Sequence, residues 1–203
     1  VRPDRAQWVF SKHPVSLDDI LVGWRSLRKR VRLGERLEFA VAATVQAIEQ
    51  TGRFVAKYQP VMTRQAELLL LIDDSNPMTT VRPVIQPLID AAESGRIFPS
   101  QIYRFSGYLG EYVYPWTNPS RGVAVADLLP NLHPDRTVLM IVSDAGSLVG
   151  LSDPERLDAS RTFLQQLAPV VRDRIWLNPL PPERWNSTSW QILEQTDVRM
   201  LDW

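Results

Sequence analysis

An unbroken aliphatic run, Leu68 to Ile72, ends in Asp73-Asp74-Ser75, and the arrangement returns where Thr137–Val142 ends in Ser143-Asp144. A strand can be apolar at every position only if both of its faces are covered. Two such strands therefore demand a sheet sandwiched between helices, with polar loops at the carboxyl edge. This pairing of a greasy strand with an acidic turn constrains the chain more than any other feature.

The intervening segments supply the helices. Glu38–Thr51 reads as an Ala-rich helix stopped by Gly52, and residues 53–62 as an exposed edge strand with Phe54, Tyr58 and Val61 as core contacts. A helix is expected from about Thr79 to Ser94, ended by Gly95, with its first turns delayed by Pro83 and Pro87. Residues 101–105 and 112–116 read as a hairpin around Ser106, Gly107 and Gly110, and Val123–Leu129 as a short helix. Asp153 or Pro154 opens a helix running to Leu167. A third strand follows at Arg174–Leu177, then a short helix at Ser189–Gln195 and a final strand at Val198–Leu201. The expected class is α/β: a Rossmann-like, mostly parallel central sheet with helices on both faces.

Residues 1–36 read as a separate, solvated and partly helical connector, docked through Trp24 and Leu27. Arg25, Arg28, Lys29, Arg30, Arg32 and Arg36 crowd there beside one acid, Glu35. The run could touch phosphates, but no aromatic stacking pattern accompanies it. The chain balances 23 basic against 23 acidic residues, which argues against holding nucleic acid by bulk charge. It has no cysteine and two histidines, His13 and His133, so thiol chemistry and a His-rich metal centre are excluded. No apolar run approaches the ~18 residues of a membrane span. With no signal-like segment and Val1 at its start, the chain reads as a cytoplasmic piece of a longer protein.

Three loops at the expected carboxyl edge carry the candidate chemistry: Asp73 to Pro77, Ser143 to Ser147, and Asn178 to Trp185. Carboxylates and hydroxyls converging there suit a hard cation; equally, Asp73, Asp74, Ser75 and Asp144 suit helix and turn caps. Seven tryptophans are present. Trp176 reads as core, whereas Trp185 and Trp190 read either as a lid over the sheet end or as a partner surface.

The motif Asp73-Asp74-Ser75-Asn76-Pro77-Met78 resembles the first metal-ion motif of von Willebrand factor A (VWA) domains. Thr137–Gly146 resembles the later strand and aspartate-glycine loop of that fold. Ile175–Pro181 with Arg184-Trp185 is similar to bacterial VWA-like proteins of the CoxE type. The likeness covers about residues 25–203 and implies a VWA-like domain at 37–203. It also implies metal ligands at Asp73, Ser75 and, through water, Asp144. The third ligand position falls on Pro77, which has no side-chain oxygen. The threonine of the middle loop has no counterpart, Ser120-Arg121-Gly122 being nearest. The resemblance therefore implies a degenerate adhesion site, with magnesium at most a weak ligand and no cofactor. The expected function is a non-catalytic adaptor in a bacterial multidomain protein, its partner an AAA+ ATPase of the MoxR type or an effector domain of the same chain. Contacts are expected from Asp73, Asp74, Ser75, Asn76, Ser143, Asp144, Ser147, Asn178, Arg184 and Trp185.

The alternative is a divalent-metal-dependent enzyme or phosphoreceiver at Asp73, Asp74 and Asp144. A receiver needs a lysine late in the chain, and none follows Lys57; Asp127 only imitates its acceptor. A dehalogenase-type phosphatase needs an acid where Ser75 stands. No Gly-x-Ser-x-Gly elbow or Gly-rich phosphate loop is present.

Overall fold

The computed structural model describes residues 15–150 and 152–203. Trp8, His13 and the first part of the expected connector lie outside the described residues. The elements in chain order are α1 (Leu17–Leu27), β1 (Lys29–Phe39), α2 (Val41–Thr51), β2 (Tyr58–Gln65), β3 (Glu67–Asp73), a 3-10 turn (Asn76–Thr80), α3 (Arg82–Glu93), β4 (Ser100–Phe105), β5 (Tyr112–Pro115), β6 (Val123–Ala124), α4 (Val125–Leu128), β7 (Thr137–Val142), α5 (Pro154–Leu167), β8 (Asp173–Asn178), α6 (Ser187–Gln195) and β9 (Arg199–Asp202).

Seven strands form one sheet in the order β6-β5-β4-β3-β7-β8-β9. β3 pairs in parallel with β4 and β7, β7 with β8, and β8 with β9; β5 runs antiparallel to both β4 and β6. The aliphatic run of β3 lies at the centre, and its alternation divides the core in two. Leu69 and Leu71 join the layer under α4, α5 and α6. Leu68, Leu70 and Ile72 join the layer under α1 and α3. Each of these side chains contributes about 1.5–3 kcal/mol by burial, so the central strand anchors both layers.

The helices end where local chemistry requires. A 3-10 turn at Asn76–Thr80 precedes α3, which starts at Arg82 with Pro83 in its first turn; Pro87 lies inside the helix and does not delay it further. Asp153 caps α5 by accepting from the Arg156 amide at 3.0 Å, and Asn186 caps α6 through Ser189. The segment read as a helix at Val123–Leu129 divides into β6 and the single turn α4.

The amino-terminal reading needs correction. Residues 29–36 are not helical but form the larger part of β1, which pairs antiparallel with β2 in a separate two-stranded ribbon. The expected helix starts at Val41, because Glu38 and Phe39 complete β1. The ribbon is not an edge of the main sheet, so Phe54 and Tyr58 are exposed rather than core contacts. Before it, α1 opens on a reciprocal cap between Ser16 and Asp19 and packs Trp24 into the layer shared with α3.

Candidate functional site

The chain leaves β3 toward β4 on one side and returns to β7 on the other. The carboxyl edge between β3 and β7 is therefore the point where strand order reverses, the place where such sheets open a crevice. Asp73 closes β3 there, and Ser143-Asp144 follows β7. The two turns meet: the Ser143 hydroxyl donates to Asp73 Oδ2 at 2.8 Å.

Asp73 is fully buried. Its Oδ1 accepts from the amides of Ser75 and Gly107, each at 3.0 Å. Asp144 is 2% exposed, its Oδ1 accepting from the Gly146 amide at 3.1 Å and its Oδ2 from the Leu148 amide at 2.6 Å. Burial pushes the Asp144 carboxyl above its ordinary range, and the charge of Asp73 adds to that; the two amides and the Arg156 guanidinium pull the other way. The turn is tight, with Ala145 and Gly146 both in the left-handed region at φ 52° and 84°. For a non-glycine residue that conformation costs about 1 kcal/mol or more.

The third loop locks onto the second. Asn178, buried at the end of β8, donates to the Asp144 carbonyl at 3.3 Å and accepts from the Leu180 amide at 3.0 Å. Trp176 donates from its indole to the Ser143 carbonyl at 2.9 Å. Ser189, at the start of α6, lies 2.7 Å from the Ser147 hydroxyl, which accepts from the Asn186 amide at 3.1 Å. Trp185 donates to the Leu180 carbonyl at 2.8 Å, and its ring stands 5.0 Å from that of Trp190. The three expected loops thus converge on one rim.

Arg156 is the residue that sequence reasoning missed. It lies in the first turn of α5, and its Nη1 is 3.9 Å from Asp73 Oδ2. The same Nη1 donates to the Gly107 carbonyl; the guanidinium stacks 4.9 Å from the centre of the Tyr108 ring, and Nε reaches Asp153 at 3.4 Å. Tyr108 donates in turn to Asp153 at 2.8 Å. Burial pushes Asp153 up, but the Arg156 amide, the Tyr108 hydroxyl and the guanidinium outweigh it and hold the carboxyl below its ordinary range. Its sequence signal is faint: a cation in the first turn of a helix opposes the helix dipole, so its place needs another reason.

Asp74 points away from Asp73, as alternation along a strand requires. It accepts from Arg82 and Arg104, each at 3.0 Å, and both guanidiniums lie over the Trp116 ring at 4.7 and 4.5 Å. Of the expected contact residues, Asp73, Ser143, Asp144 and Asn178 are buried and hold the loops together. Asp74, Asn76 and Arg184 are exposed, and Ser75, Ser147 and Trp185 are half-buried.

These residues do not fit a divalent cation. The two Asp73 oxygens already accept three N–H or O–H donors, Pro77 offers none, and the nearest cation is a guanidinium built into the chain. Among the described residues, no three acidic or histidine side chains come together as a metal-holding group, and no helix is long and apolar enough to cross a membrane. No family model matches the chain, and no curated protein or solved structure matches it.

Proposed function

We propose that this chain is a VWA-like, non-catalytic adaptor module in which Arg156 takes the part that a divalent ion plays in intact members of that class. One observation carries the reading: a buried guanidinium faces Asp73 at the carboxyl edge of the central strands, beside Gly146 in the turn that follows Asp144. A fixed cation offsets part of the charge of the convergent acids without leaving coordination positions open. The order of the parallel strands, with β5 antiparallel to both of its neighbours at one side of the sheet, supports the resemblance in the motifs.

Both carboxylates are buried and accept from backbone amides, Asp73 also from the Ser143 hydroxyl, so neither faces an accessible substrate. Perturbed carboxyls often mark active sites, but Asp144 is enclosed by its own turn. Recognition then falls to the accessible parts of the rim: Asp74, Ser75, Asn76, Ser147, Arg184, Trp185 and the exposed Trp190. The partner is a protein, such as an AAA+ ATPase or an effector domain in the same polypeptide.

Two measurements test this. Titration of magnesium or manganese to about millimolar, the range of weak sites, is expected to leave tryptophan fluorescence and calorimetric heat unchanged. Binding to a candidate ATPase is expected to survive EDTA. Saturable ion binding, or adaptor binding lost on chelation, would return the site to the metal-dependent class.

A further inference from the structure

The β1–β2 ribbon, with α2 following its far end, leaves much of its apolar surface uncovered. Among the described residues its strands pair only with each other, and a two-stranded ribbon is marginal in water unless something packs on it. Phe39 and Leu37 share a face with their cross-strand partners Tyr58 and Pro60, and of these Leu37, Phe39 and Tyr58 are exposed. Val41, Val45 and Ile48 are exposed along one stripe of α2. Beyond Gly52 the chain returns through Arg53 and Phe54, a residue that is 71% exposed. Apolar surface gathered in this way marks an interaction site.

Charge identifies what covers it. Residues 28–65 carry eight basic and three acidic side chains, a net +5, whereas residues 66–203 carry eleven basic and seventeen acidic, a net −6. Contact between two arms would oppose like charges; contact between an arm and a body joins opposite ones. The body also offers a receiving hollow of about 280 Å³ beside α5, lined by Leu109 and Phe163 and by the acids Glu111 and Asp158. Asp158 pairs with Arg161 at 3.1 Å, but that contact is solvent-exposed and weak for that reason.

We propose that the chain associates with a second copy of itself head to tail, the Arg53-Phe54 loop of one copy entering the Glu111–Asp158 hollow of the next. The ring fills the apolar wall and the guanidinium meets the carboxylates, the aromatic-plus-arginine combination that dominates interface energetics. The contact is heterologous, so repetition closes a ring or extends a chain. It is separate from the rim and stands whether or not the adaptor reading holds.

Sedimentation velocity from micromolar to several hundred micromolar tests it. The average mass is expected to rise above the 23.2 kDa of the monomer, and the rise to shrink in about 0.5 M salt. Phe54→Ser and Glu111→Arg are each expected to weaken association at least about tenfold, and mixing Arg53→Glu with Glu111→Arg to restore part of it. Circular dichroism checks that these surface variants stay folded. A chain that remains monomeric throughout overturns the proposal, including one whose arm instead binds nucleic acid or a different protein. Association untouched by Phe54→Ser and Glu111→Arg overturns it as well.

Discussion

Replacing Arg156 by methionine keeps most of the side-chain volume and removes the charge. Unit charges 3.9 Å apart attract by about 4 kcal/mol at an effective dielectric of about 20. The variant also strips the Gly107 carbonyl of a donor, while it escapes the cost of burying a guanidinium. The net expected loss is about 2–4 kcal/mol, at or just below the range seen when one partner of a buried pair is removed. Urea unfolding followed by tryptophan emission measures it, with the slope m expected to stay constant. Arg156→Lys keeps the charge without the fork and should recover part of the loss. The loss should also grow as pH rises above the ordinary carboxyl range of about 4. Removing the cation raises the folded-state value of Asp144 further, and a raised carboxyl loses stability as pH climbs through its folded value. A methionine variant within about 0.5 kcal/mol of the parent would refute the idea that these acids depend on an internal cation.

Two further perturbations probe the same rim. The raised carboxyl of Asp144 means that the native state holds its proton more tightly than the unfolded chain, so stability should fall as pH rises from about 4 toward the folded value. Asp144→Asn should remove that slope in pH-dependent denaturation, and at neutral pH cost about 1–3 kcal/mol by leaving one of two amides without an acceptor. Gly146→Ala should be worse than its size suggests. A Cβ there would lie 3.0 Å from Arg156 Nε at φ 84°, and thermal melting should report a loss of about 1–3 kcal/mol from backbone strain alone.

The central sheet was legible because Leu68–Ile72 and Val138–Val142 are buried on two faces, and only a sandwiched parallel strand tolerates that pattern. The convergence of three loops followed from the same rule, since strand ends meet at the reversal of strand order. β1 was not legible. Its arginines obscure an alternation in which Val31 faces inward while Arg30 and Arg32 face water, and charged residues are depleted in strands. Phe54 and Tyr58 were misjudged for a related reason: apolarity says that a residue seeks cover, not that its own domain supplies it. Arg156 stayed hidden because its role exists only when α5 folds back over the turn at Gly107, a meeting of segments that no local pattern encodes.

A counter-charge joined to the backbone never dissociates. Its presence beside Asp73 does not depend on how much magnesium surrounds the molecule, and dilution or a chelator cannot deplete it. Any switch acting on this rim has to work mechanically, by shifting the first turn of α5 and carrying the guanidinium with it.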